Sequence, residues 1–348
     1  MPLVSVSERI LVVKLSSIGD VLMASPVSRA LRRAFPESYI AWVVERKSAD
    51  VVLGNPFLDE VFVLDRTKGG NAVKDASQFV SNILQLRDDI RAHQFDVCID
   101  LQGLIRSAFV SWMSGARLRV GFADAGEGAV YLYHERYRPA SGDLNAQQRN
   151  LDILSTLGVY STDTAMYMPV GDDDRSFAAG FFERTGLSGA KTVALCPATT
   201  WVNKHWITER WSAVADLLWE KYHAKSVIMG SKADLPMAAE IASGAHSKPV
   251  VSVGQTTLKQ AGAIMEKCVA VIGVDTGLLH MAVALDKPAV GLFGASAWHC
   301  FTKKENFVWV AKEFPCSPCH RHPTCTDVDC MRAIMPEDVE SGVRRWLE

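Results

Sequence analysis

The 348-residue sequence contains no apolar run near the roughly 18–20 residues that would cross a bilayer as a helix. It has no G-x-G-x-x-G, which disfavours a dinucleotide site of the Rossmann type. H-E-x-x-H and G-x-S-x-G are also missing, leaving metalloprotease and serine-hydrolase readings without support. An excess of one charge is lacking too. The formal net charge is −2, so no nucleic-acid partner is expected. The opening MPLVSVSERI has no basic region followed by an apolar core and a small-residue cleavage site, so no secretory signal is expected and the cytoplasm is the expected compartment. Short repeats and low-complexity segments are not seen. What is there is globular in composition, 48% hydrophobic and 22% charged, and long enough that two domains are expected.

Buried-strand patterns at 10–15, 40–44, 61–64, 96–100 and 118–122 alternate with helical periodicity at 26–35, 76–93, 104–114 and 144–157. The second half repeats the scheme. Strands are expected at 192–196, 225–229, 249–253, 269–274 and 288–293, and helices at 208–222, 233–243, 257–267, 276–285 and 337–347. Such alternation implies an α/β fold with a mostly parallel sheet in each half. GDDDR at 171–175 follows Pro169 and marks the expected hinge. Thr208 and Thr257 read as N-caps, as does Ser25 before Pro26.

Two strand-to-helix turns carry chemistry. In GVDTGLLH (273–280), Asp275, Thr276 and Gly277 occupy the turn, and the helix start offers unpaired N–H groups and partial positive charge to a phosphate. Asp275 would repel that phosphate, so it is placed to orient the turn or to accept from a ligand hydroxyl. His280, four residues past Thr276, returns to the same helix face. An ordinary capped connection is the alternative. In SSIGD (16–20), Asp20 lies in a loop or distorted first turn at the carboxyl end of the first strand, where open α/β sheets bind ligands.

VVKLSSIGDVLMASPVSRALRRAFP (13–36), DLQGLIRSA (100–108), PATTWVNKHW (197–206) and GVDTGLLHMAVALDKPAVGLFG (273–294) together resemble the ADP-heptose:lipopolysaccharide heptosyltransferases of glycosyltransferase family 9, over essentially the whole chain. The S-S-x-G-D and A-T-T-x-x-x-K-H-W segments are most similar to the enzymes that add the first heptose. The resemblance implies GT-B architecture, two Rossmann-like domains facing a cleft. The expected division is an acceptor-binding domain at 1–168, a nucleotide-sugar domain at 169–335, and a final helix at 336–348 packing back on the first domain. It implies ADP-heptose as donor, a Kdo-bearing lipid A as acceptor, and an inverting reaction at the inner membrane by a monomer.

Residue by residue, the resemblance makes Asp20 the catalytic base and Thr199, Thr200 and Lys204 phosphate contacts, with Lys204 also stabilising the departing diphosphate. Asp275, Thr276, Gly277 and His280 match the donor loop. On the acceptor side stand Ser17, Gly19, Gln102 and Arg106, whose guanidinium suits phosphates or acidic sugars. Bland alternatives remain: capping for Asp20, a solvated loop lysine for Lys204. Arg66, Lys68 and Arg119 read as surface charges, and Arg29, Arg32 and Arg33 as a polar helix face or a headgroup contact. Lys232 stands where related first-heptose enzymes carry an acidic donor contact, which leaves sugar specificity open.

Cys98, Cys196 and Cys268 sit in or beside apolar segments and read as small buried side chains. Cys316, Cys319, Cys325 and Cys330 form C-x2-C-x5-C-x4-C, either a structural zinc site or a reduced Cys-rich loop. No metal is expected in catalysis. Asp172–Asp174 and Asp327–Asp329 contain D-x-D but follow no strand, so they read as solvated or structural. Two competing functions stay open: another enzyme of this architecture, such as an epimerase or a transferase for a different sugar, and a silent protein that only binds the nucleotide sugar.

Overall fold

The computed structural model describes residues 8–65, 72–139, 145–296, 304–319 and 327–348, the side chains of 72–76 excepted. The chain divides into two compact units, Met1–Pro169 and Val170–Glu348.

The first unit holds β1 (Arg9–Val13), β2 (Tyr39–Glu45), β3 (Glu60–Leu64), β4 (Val97–Asp100), β5 (Leu118–Phe122) and β6 (Glu135–Tyr137). They form one parallel sheet in the order β3-β2-β1-β4-β5-β6. The second unit holds β7 (Thr192–Cys196), β8 (Lys225–Ile228), β9 (Val250–Val251), β10 (Ala270–Val274), β11 (Ala289–Phe293) and β12 (Phe307–Ala311). Their parallel order is β12-β11-β10-β7-β8-β9. Counted from its own first strand, each sheet runs 3-2-1-4-5-6, the doubly wound order expected of an α/β pair.

The central strands explain the order. RILVV, TVALC, AVIGV and AVGLF are apolar nearly throughout, as a strand covered by helices on both faces must be. Each unit has its own core, around Leu11, Val43 and Ile90 in the first and around Leu195, Trp211 and Ile272 in the second. Cys98, Cys196 and Cys268 are buried as expected, and burial pushes the Cys98 and Cys268 thiols up to about 12. Two edge strands lie outside the expectation. ERY of β6 has no strand signature, whereas FVWVA of β12 carries a readable one.

Two helices also differ from the reading. A helix runs from Ile18 to Ala24 ahead of Pro26, and Ser25 is itself helical, its hydroxyl donating to Leu22 O at 2.7 Å rather than capping. The expected hinge at 171–175 opens a full helix, Asp172–Arg184. Its three aspartates fill the first turn, where the helix dipole favours anions, and Asp174 accepts from Gly171 N–H at 3.1 Å. The final helix, Pro336–Val343, packs on helix Thr208–Tyr222 and β10–β12 of its own unit. Val339, Val343 and Leu347 enter that unit's core, and buried Glu340 binds Arg344 at 3.0 Å and Lys221 at 3.2 Å.

Candidate functional site

The residues singled out in the first unit gather where β1, β2 and β4 end. After β1 the chain passes through Lys14, Leu15, Ser16 and Ser17 into the helix at Ile18. Asp20 sits in its regular first turn, and Asp20 Oδ2 accepts from Ser17 N–H at 3.0 Å and Ser17 Oγ at 2.9 Å. The capping role is therefore realised. Among the described residues Asp20 Oδ1 has no hydrogen-bond partner. Gly19 is buried in the same turn and Ser17 is exposed.

β4 ends on Asp100, a carboxylate with no exposed surface. Its Oδ1 accepts from the N–H groups of Gln102 at 2.8 Å and Gly103 at 3.3 Å, and its Oδ2 from Ser107 Oγ at 2.8 Å and Tyr133 OH at 2.7 Å. Burial pushes the Asp100 carboxyl above its ordinary range, against the pull of these four donors. The loop so held turns Gln102 and Arg106 toward the β1 turn. Gln102 Oε1 accepts from Ser16 N–H at 3.2 Å, while Arg106 donates to Ser16 Oγ at 2.8 Å and pairs with Glu45 at 3.3 Å. Four proposed acceptor residues and Asp20 thus lie in one neighbourhood.

Lys14, Asp100 and Glu45 escaped the sequence reading. Lys14 is buried, with its ammonium donating to Leu101 O at 3.0 Å. Burial lowers its proton affinity while the Asp20 and Asp100 carboxylates raise it. DLQG carried the signal for Asp100, since a buried acid ahead of a glycine loop has no solvent to satisfy it. The helix arginines serve the fold. Arg29 and Arg33 pair with Asp163 at 2.7 and 2.9 Å, and Arg32 with Asp59 at 2.6 Å. Arg119 binds Leu132 O at 2.8 Å. Arg66 and Lys68 lie outside the described residues.

The second cluster stands where β7, β10 and β11 end. Asp275 Oδ2 accepts from Lys204 Nζ at 2.6 Å and from Ser296 Oγ at 2.5 Å, and Oδ1 lies 3.5 Å from His280 Nε2. Burial would raise the Asp275 carboxyl, but His280 and Lys204 overcome it and hold the group well below the usual carboxylate range. Thr199 Oγ1 donates to Asp275 O at 3.0 Å. Thr276 is the N-cap and Gly277 the first residue of helix Gly277–Ala284, so their N–H groups face away from the helix ladder. Thr200 is exposed and, among the described residues, makes no side-chain hydrogen bond to this group.

His205, Trp206 and Ser296 were not singled out. His205 Nε2 lies 2.7 Å from Thr199 O, closing the loop that carries Lys204. Trp206 anchors that loop by stacking edge-on against Trp211 at 5.2 Å and donating to Ile334 O at 3.1 Å. Lys232 is exposed, and the nearby Asp234 carboxylate caps Ser231 N–H at 2.7 Å. Of the proposed zinc ligands, Cys325 lies outside the described residues. Cys316 is exposed, Cys319 half-buried and Cys330 buried beneath Gly294. Among the described residues no group of three or more metal-ligating side chains gathers.

Comparison with known proteins identifies the family of the chain. The family model described as glycosyltransferase family 9 (heptosyltransferase) matches residues 83–327, well over half of the chain. Lipopolysaccharide heptosyltransferase 1 of Pseudomonas aeruginosa is 28% identical over 325 residues, covering 91% of this chain and 87% of the relative. The crystal structure of a glycosyltransferase of family 9 from Veillonella parvula shares the fold with a TM-score of 0.82 at 24% identity, covering 98% of this chain and 97% of that one. The E. coli heptosyltransferase WaaC, solved with ADP-2-deoxy-2-fluoro heptose, superposes with a TM-score of 0.72 at 22% identity, covering 97% and 99%. With the family's motifs at the strand ends of both units, this chain belongs to glycosyltransferase family 9, the heptosyltransferases, and is a transferase.

Proposed function

We propose that the protein transfers heptose from ADP-heptose to the Kdo-bearing inner core of lipid A, in the cytoplasm at the inner membrane. The observation that carries this reading is the Asp275 cluster. It holds a lysine ammonium at 2.6 Å beside the open helix start at Thr276–Gly277, a pairing suited to a nucleoside diphosphate. The Pseudomonas relative named for lipopolysaccharide heptose transfer and the E. coli structure holding an ADP-heptose analogue support the donor and the pathway.

In this scheme the acceptor hydroxyl oxygen attacks the anomeric carbon and its proton passes to Asp20 Oδ1. Ser17 fixes the other carboxylate oxygen and so aims the free one. The bond from the anomeric carbon to the β-phosphate oxygen breaks, and ADP leaves carrying the electron pair. Lys204 and the N–H groups of the helix start, with Thr199 and Thr200, stabilise that developing charge. Asp275 keeps Lys204 in place, and His280 keeps Asp275 in place. Arg106, with Ser17, Gly19 and Gln102 around it, binds the acidic acceptor. Attack from the face opposite ADP inverts the anomeric carbon.

The test measures ADP release and sugar transfer with ADP-heptose and Kdo-lipid A, beside UDP-sugars. Transfer from ADP-heptose alone is expected. Turnover confined to a UDP-sugar would assign the chain a different donor, and donor binding without transfer would make it a binding protein.

A further inference from the structure

Asp275 follows β10, and its Oδ2 accepts from donors that arrive on either side of that strand. Lys204 comes from the loop after β7 and reaches Oδ2 at 2.6 Å. Ser296 comes from the segment after β11 and reaches the same oxygen at 2.5 Å. The other oxygen, Oδ1, faces His280 Nε2 at 3.5 Å. The Lys204 and Asp275 side chains are 23 and 18% exposed, so water contributes little to the pair. Contacts away from Asp275 fix the segment that carries Ser296. A Cβ on Gly294 would lie 2.6 Å from Cys330 Sγ and 2.8 Å from Met331 Sδ, so the backbone passes close over those side chains. Gly294 O accepts from Ser317 Oγ, and Ala295 is buried.

Charge says what the second donor does. An ammonium has three N–H groups. Among the described residues Lys204 commits only the one on Asp275. A cation held this closely by its own carboxylate, away from bulk water, has less charge to offer a second anion. Without Ser296, a Lys204 that moved toward a diphosphate would leave Oδ2 with no donor, and an unsatisfied carboxylate oxygen in a mostly buried place is destabilising. With Ser296 present, Oδ2 keeps a charge-assisted hydrogen bond throughout. The serine also draws on the oxygen that Lys204 uses, which loosens the hold of Asp275 on the ammonium.

We propose that Ser296 is a positioning residue that takes over Asp275 Oδ2 as Lys204 turns to the departing diphosphate. The proposal rests on the role given to Lys204 in the reading above. It sets two ligands apart. ADP carries the charge that appears on the β-phosphate oxygen when the anomeric bond breaks, and ADP-heptose does not yet carry it. Calorimetry on the full chain compares the two for the parent, Ser296→Ala and Ser296→Thr, with melting curves verifying the fold. ADP affinity is expected to fall about tenfold in Ser296→Ala, while ADP-heptose affinity stays within about twofold. Transfer should follow ADP, with kcat down about tenfold and KM for ADP-heptose within about twofold. Ser296→Thr keeps the hydroxyl and should recover ADP affinity to within about threefold of the parent. A serine that only holds the turn together would weaken both ligands alike, and that result would overturn the proposal. So would unchanged ADP affinity in folded Ser296→Ala. If the parent binds ADP-heptose without transferring it, the transfer reading falls, and the comparison of ADP with ADP-heptose still decides the role of Ser296. A parent that binds neither ligand sinks both.

Discussion

In the proposed reaction, Asp20 and Asp275 place one residue type at opposite ends of the chemistry. Asp20 commits one oxygen to the helix cap, and the proposed scheme gives the other the acceptor proton. Asp20→Asn retains the cap acceptor, so stability should change little, while turnover should fall about 100-fold or more; steady-state kinetics beside a melting curve checks both. Near-normal turnover would remove Asp20 from the base role. Lys204→Met leaves Asp275 with Ser296 and His280 only. We expect a loss of about 1–3 kcal/mol in denaturant unfolding, discounted because both groups are partly exposed, together with weaker ADP binding by calorimetry. The Asp275 carboxyl is lowered on folding, so its contribution is present above the unfolded value of about 4 and is lost on acidification below it. Asp275→Asn should flatten that acid dependence. That Asp275, Thr276 and His280 stand together was legible because they share one short turn. Ser296 was not, because a lone serine 21 residues away reaches Asp275 only once β10 and β11 pair.

At the level of elements, the β4 loop depends on a strand it does not belong to. A Cβ on Gly121 of β5 would lie 2.3 Å from the Tyr133 ring, whose hydroxyl holds Asp100. Gly121→Ala should displace that ring and destabilise the first unit by about 1–3 kcal/mol, read by urea unfolding, and weaken acceptor use more than ADP binding. Unchanged stability would mean that the ring has room to move. Glu340 anchors the last helix. Its carboxyl is held down to about 2, chiefly by Arg344, with burial opposing and Tyr222 and Lys221 assisting. Lowered on folding, it stabilises above its unfolded value near 4.5 and loses that stabilisation as pH falls toward 2. Glu340→Gln should cost about 1–2 kcal/mol at neutral pH and progressively less as pH falls from the unfolded value through about 2, measured by chemical denaturation across that window. Most helices and central strands were readable from periodicity. The Asp172–Arg184 helix was not, because three successive aspartates and a glycine read as a solvated turn until their place at a helix N-terminus is known.

At the scale of the whole chain, two units with separate cores imply unfolding that departs from a single transition. Saturating ADP at about 100 times its Kd should add about 2.7 kcal/mol to the unit that binds it. Calorimetry should show one transition rising, and hydrogen exchange should slow at 197–206 and 275–280 rather than in β1 or β4. Protection confined to the first unit would move the donor site. Much of this organisation was already written in residue order. Apolar runs too short for membranes but long enough for covered strands, alternating with amphipathic helices, dictate two parallel α/β sheets, since no other layering buries both faces of such strands. Glycine-bearing turns after those strands mark where ligands can approach backbone N–H groups. Which polar groups meet was set by folding. Asp100 finds Tyr133, Arg106 finds Ser16 and Glu45, and Lys204 finds Asp275 across 33, 90, 61 and 71 residues of chain. Such pairs leave no periodic trace, because a hydrogen bond depends on where strand ends lie in space, and that position comes from the order of the sheet.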